Sequence, residues 1–161
     1  MIAWRAGIVA VAVGFLAIAG IGYASHGSSE APPQLDVDWG TSLHVAPSAP
    51  AVHCQAMLTS DDHIDMVVSN LAPGQSCTLD GKVVDRGTLA VHLYSDIDSS
   101  HPVGCADLAY TDNIASAAHP PSLAVGAKFD YVGTVSLMTA AGNNCQGFSV
   151  TFHITVTGVS D

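Results

Sequence analysis

Gln34-Leu35-Asp36-Val37-Asp38-Trp39-Gly40-Thr41-Ser42-Leu43-His44-Val45 alternates without a break for twelve positions. Leu35, Val37, Trp39, Thr41, Leu43 and Val45 fall on one face, and Gln34, Asp36, Asp38, Gly40, Ser42 and His44 on the other. A period of two over this length predicts a β-strand with one buried face. At ~3.3 Å per residue it would span roughly 40 Å, about twice an ordinary strand.

Downstream the same period returns in shorter pieces. After the Pro/Ala break APSAPA at 46–51 come Val52 to Leu58, then Ile64 to Ser69 with Ile64, Met66 and Val68 on one face, then Cys77 to Val84. Thr88 to Tyr94 follows with Leu89, Val91 and Leu93 inward, and Lys128 to Leu137 with Phe129, Tyr131, Val135 and Leu137 inward. The last run, Phe148 to Val156, alternates Phe148, Val150, Phe152, Ile154 and Val156 with polar residues. His101 to Pro121 reads as irregular, with a short helical turn around Ile114 to Ala118. Short strands divided by turn residues, with no convincing amphipathic helix, predict an all-β, antiparallel two-sheet β-sandwich over residues 46–161. Leu71-Ala72-Pro73-Gly74 and Leu123-Ala124-Val125-Gly126 echo one another before two of the strands. They read either as corresponding corners of a jelly roll or as a chance similarity of turns.

Upstream, Met1 to Ala24 reads as a targeting segment. Arg5 supplies the positive region, Ile8 to Ile21 the apolar run, and Gly22-Tyr23-Ala24 a small-x-small cleavage site. The apolar run is short of the ~20 residues of a spanning helix, which favours a cleaved signal peptide at 1–24. An uncleaved anchor and a pilin-type leader cut near Arg5-Ala6-Gly7 are the competing readings. Residues 25–33, SHGSSEAPP, form a flexible linker that ends in a stiff Pro-Pro.

Removing the leader leaves about 137 residues, enough for one core. Three cations, Lys82, Arg86 and Lys128, then face fourteen acids. Such a surface repels nucleic acid and anionic lipid. Cys54, Cys77, Cys105 and Cys145 form an even set in an exported chain, which predicts two disulfides and leaves all three pairings open.

Three stretches of turn chemistry carry a resemblance. Asn70-Leu71-Ala72-Pro73-Gly74-Gln75-Ser76 leads into a strand and then into Val84-Asp85-Arg86-Gly87-Thr88-Leu89, and Gly142-Asn143-Asn144-Cys145-Gln146-Gly147 precedes the final strand. This succession resembles the TasA/camelysin family of secreted fibre proteins, including archaeal bundling-pilus subunits. The matching corner residues are Asn70, Pro73, Gly74, Gly87, Gln146 and Gly147. Asp85 stands where the family more often has Asn. The resemblance implies a jelly-roll subunit polymerised by donor-strand complementation. Leu35, Val37, Trp39, Leu43 and Val45 would then dock in a neighbour's core, in a head-to-tail filament for cell or surface adhesion. The pattern alone favours the first strand of its own domain, and it is the resemblance that tips the reading towards donation.

Chemistry is thinly represented. No HExxH occurs, so the zinc-peptidase activity attached to the camelysin name has no visible ligand set. Asp61, Asp62, His63 and Asp65 are the densest candidate metal ligands, for Ca²⁺ or a transition metal, against a solvated turn as the plainer reading. His53, Cys54 and Met57 hint at copper, although a disulfide suits Cys54 better. Trp39, Tyr94, Tyr110 and Tyr131 offer aromatic surface for a sugar, with core packing the simpler use of Trp39 and Tyr131. The expectation is a non-enzymatic filament subunit without a cofactor, partnered by copies of itself. A metal-dependent surface peptidase and a monomeric surface-binding module are the alternatives.

Overall fold

Period-two runs become ten strands in the computed structural model of the chain, which describes residues 36–99, 105 and 107–160. The strands are β1 (Val37–Trp39), β2 (His44–Pro47), β3 (His53–Ser60), β4 (His63–Ser69), β5 (Ser76–Asp85), β6 (Val91–Ser99), β7 (Leu108–Asp112), β8 (Ser122–Leu123), β9 (Lys128–Leu137) and β10 (Ser149–Val159). The leader at 1–24, the linker at 25–33, Gln34 and Leu35 lie outside the described residues. One five-stranded sheet runs β1-β5-β9-β7 with β2 also on β5, and the other runs β3-β4-β10-β6-β8. Every pairing is antiparallel. The fold is the expected all-β two-sheet sandwich.

The core lies between the sheets and is filled by the apolar half of each alternation. Ile64, Met66 and Val68 of β4 and Val150, Phe152, Ile154 and Val156 of β10 are buried. Leu79 and Val83 of β5 and Tyr131, Val135 and Leu137 of β9 are buried with them. Phe129 is half-buried, and two expected inward residues are exposed, Leu89 at 39% and Phe148 at 43%. Both stand just outside their strands, in turns where the pleat no longer dictates direction. The first of these turns is held by Gly87, whose N–H donates to Asp85 Oδ1 at 2.8 Å.

The stretch read as irregular contains one strand, β7, and a second, β8, follows directly after it. Their signal is short: β7 has five residues and β8 two, so alternation has no room to show. Between them the helical turn reduces to a tight turn organised by Asp112. Its Oδ1 accepts from the N–H groups of Ile114 (2.8 Å) and Ala115 (2.7 Å), and Ser95 Oγ donates to the same carboxylate at 3.0 Å.

Cys54 pairs with Cys77 and Cys105 with Cys145. The first bridge joins β3 to β5, one strand from each sheet. Of the three pairings open in the sequence, this is the sequential one. Two disulfides suit an oxidising, extracellular setting.

The echoed corners are equivalent. Gly74 and Gly126 both take positive φ, 79° and 73°. Gln75 N–H donates to Ala72 O and Ala127 N–H to Ala124 O, each at 2.9 Å, the bond of a turn with glycine in its third place. Gly74 N–H then reaches Leu137 O at the end of β9, and Gly126 N–H reaches Asp85 O at the end of β5. Each corner thus starts one strand of the β5–β9 pair and caps the end of the other.

Candidate functional site

The ribbon that opens the sandwich is interrupted. Instead of one strand over 34–45, two short strands, β1 and β2, pair with β5 of the same chain. Trp39 stands opposite Val83 and His44 opposite Asp80, so the ribbon advances five residues while β5 advances three. Two extra residues are accommodated at 40–43, a wide irregularity of the kind that strands use to change direction. Because two is a whole pleat period, Val45 returns to the face of Trp39 and the alternation survives the break. Thr41 is exposed, Leu43 and Val45 are half-buried, and Val37 and Trp39 are buried.

Trp39 is the anchor. Its indole meets Tyr131 edge-on, with centroids 4.7 Å apart and planes at 85°. It lies against Gly81, where a Cβ would stand 3.1 Å from Cζ3. Its Nε1–H donates to Asp62 O at 3.0 Å, and its main-chain N–H to Asp61 O at 2.6 Å. The N–H groups of Arg86 and Gly87 donate to Asp36 O at 2.8 and 3.1 Å, and the Arg86 guanidinium pairs with Asp38. β1 is therefore held by β5 on one side and by the β3–β4 turn on the other.

That seam is acidic. Asp36, Asp38, Asp61 and Asp62 surround a recess of about 250 Å³ with Val37, Val156, Thr157 and Gly158. Burial, followed by the neighbouring Asp36, pushes the Asp38 carboxyl above its ordinary value, while Arg86 pulls the other way. Asp62 moves down instead, chiefly through its hydrogen bond with His63 and then through Ser60. The expected cluster at 61–65 divides into two pairs, Asp62 with His63 Nδ1 (2.8 Å) and Asp65 with His153 Nδ1 (2.7 Å) across β4 and β10. Among the described residues no group of three or more His, Cys, Asp or Glu side chains is arranged to hold a metal ion. The copper reading of Cys54 is overturned by its disulfide, which removes the thiolate.

Of the four aromatics weighed for a sugar surface, Trp39 and Tyr131 are core, as the simpler reading had them, Tyr110 is half-buried, and Tyr94 is exposed on β6. Tyr110 and Tyr131 share a hydrogen bond between hydroxyls, and burial pushes both phenols up. The corner residues sit at turns. Asn70 takes φ 60°, Gly147 takes φ 75°, and Pro73 occupies the position before Gly74.

Sequence reading missed Asp85, which is fully buried at the end of β5. Its Oδ1 holds Gly87, and its Oδ2 is buried without a hydrogen-bond partner. The signal was the Asp-x-Gly spacing, which predicts a side-chain-capped turn. Comparison with known proteins adds no relative: no family model, no curated protein and no solved structure matches the chain.

Proposed function

We propose that the chain is a structural subunit of an extracellular filament, a pilus or matrix fibre, in which the ribbon of one copy occupies β5 of the next. The observation that carries this reading is the ribbon's place at the edge of its sheet. β1 and β2 are ladder-bonded to β5 alone, they precede every cysteine, and the other eight strands keep their mutual pairings without them. Exchanging an identical element between copies preserves the same contacts, so it costs little beyond opening the hinge. Ser48 to Val52, with Pro50 inside it, is the hinge available. A contact passed from each copy to the next does not close on itself, and so it builds a fibre. The turn residues shared with the TasA/camelysin family point the same way. The role is mechanical, the partners are further copies, and no cofactor takes part.

A second reading is favoured by the anchoring of Trp39 on its own Tyr131: a monomeric surface-binding module whose first strand stays at home. One experiment separates the two. Val37 Cγ2 lies 2.5 Å from where a Gly158 Cβ would stand, so Val37→Cys with Gly158→Cys sets the two new side chains against each other. Oxidised after assembly, this variant is expected to give a covalent ladder on a non-reducing gel. A single monomer band contradicts exchange. Electron microscopy of the protein lacking residues 25–45 is expected to show no fibres, and fibres that persist would remove the proposal.

A further inference from the structure

We infer that the seam between the ribbon and the β3–β4 turn is a pH-sensitive latch, which holds β1 in acid and loosens it as the seam carboxyls ionise. β1 has two attachments. One is the main-chain ladder to β5, whose hydrogen bonds carry no titrating group. The other is to the turn, where Trp39 donates its main-chain N–H to Asp61 O at 2.6 Å and its indole N–H to Asp62 O at 3.0 Å. Those same two turn residues line one recess with Asp36 and Asp38 of the ribbon. Main-chain oxygens therefore draw the ribbon onto the turn, while like-charged side chains stand on both sides of the join.

Asp38 is the central group, with its side chain only 16% exposed. Its neighbours on the ribbon and the turn are Asp36, which shares a side-chain hydrogen bond with it, and Asp61. Arg86, just beyond β5, supplies its one ion pair among the described residues, because Lys82 of the same strand is committed to Asp130. Asp62 is held by His63 Nδ1 and Ser60 Oγ, each at 2.8 Å. Asp85, opposite Val37 on β5, is turned to holding Gly87. From β10 come Val156, Thr157 and Gly158, none of them charged. One guanidinium thus stands against three carboxyls that no other cation offsets.

Burial, followed by Asp36, raises the Asp38 carboxyl above its ordinary value in the seated ribbon. A group raised in the closed form binds its proton more tightly there than in the open form, so its support is whole in acid and lost as pH rises through the closed-form value. Protonated, Asp38 shares its hydrogen with Asp36. Ionised, it adds a third like charge to a half-enclosed recess, and β1 opens more often. A ribbon exchanged into the next copy meets the same carboxyls there. The latch therefore sets how readily the ribbon leaves and not which state is finally the more stable, a consequence that rests on the filament reading. The opening itself does not.

Amide hydrogen exchange on the full chain tests the latch, read at 37–39 relative to β10 and corrected for the intrinsic effect of pH. Relative protection of the ribbon is expected to fall about three- to tenfold as pH is raised from about 4 to 7. Asp36→Asn removes a cause of the rise at Asp38 and should flatten the profile. Arg86→Gln removes the opposing cation and should steepen it. A flat wild-type profile overturns the inference, as does a profile that neither variant alters. Where fibres form, Asp36→Asn is expected to slow their growth at neutral pH about threefold. Asp96→Asn, the same loss of charge at an exposed site on β6, should speed it by easing repulsion between copies. Equal acceleration by both assigns control to net charge and overturns the latch. A ribbon that opens as expected in a chain that never forms fibres upholds the latch and removes the filament reading instead.

Discussion

Trp39 and Gly81 act as one unit: the indole lies where any larger residue at 81 would place its side chain. A Cβ there would meet Trp39 Cζ3 at 3.1 Å and Leu43 Cδ2 at 3.2 Å. Gly81→Ala is therefore expected to cost about 1–3 kcal/mol of stability by overpacking. Trp39→Ala should cost about 3–5 kcal/mol by leaving a cavity beside Tyr131. Urea unfolding measures both, and a neutral Gly81→Ala would show that the ribbon is not seated as described. The acidic seam gives a pH signature. A carboxyl raised in the folded state, as Asp38 is, favours folding at low pH and withdraws that support as pH rises through its folded value. Asp36→Asn removes one cause of the rise, so the melting temperature should increase at neutral pH. The gain should shrink as the solution is acidified and the Asp38 carboxyl takes up its proton. A gain independent of pH would assign it to something other than charge.

At the scale of elements, the two glycine corners separate conformational strain from crowding. At Gly126 nothing stands within 4 Å of a built Cβ, so Gly126→Ala measures the left-handed backbone alone, about 1–2 kcal/mol. At Gly74 the same change also meets Thr139 Cγ2 at 3.1 Å and should cost more. Equal losses would mean that Thr139 moves aside freely. The likeness of these corners was visible in the sequence because each is a local four-residue event, but their equivalence was decided only by the strands they start and cap. The runs at 64–69, 128–137 and 148–156 were legible too, since pleat alternation over six or more residues has no other common cause. β7 was not: five residues, Leu108–Asp112, make a strand only because β9 lies beside them. β6 runs on to Ser99 through Asp96 and Asp98 for the same reason, pairing with β10 despite a polar composition.

For the whole molecule, two covalent links and a large net charge set the balance. Cys105→Ala with Cys145→Ala opens a loop with a sequence separation of 40 and is expected to lower stability by about 2–4 kcal/mol in chemical denaturation. The charge of −10 opposes both compactness and association. Raising ionic strength from about 0.01 M to 0.15 M shortens the screening length from ~30 Å to ~8 Å and should promote self-association, read by light scattering. Association that falls with salt would point instead to attraction between opposite charges.

Alternation, turn glycines and cysteine parity determined from the chain alone that this is a two-sheet β-protein with two bridges, because each is written in neighbouring residues. Which cysteine meets which, and which strand lies beside which, only the folded chain decided, because pairing joins residues far apart in sequence. The break at 40–43 belongs with these. Two inserted residues leave the phase of a period-two pattern intact, so nothing short of the register against β5 could reveal it.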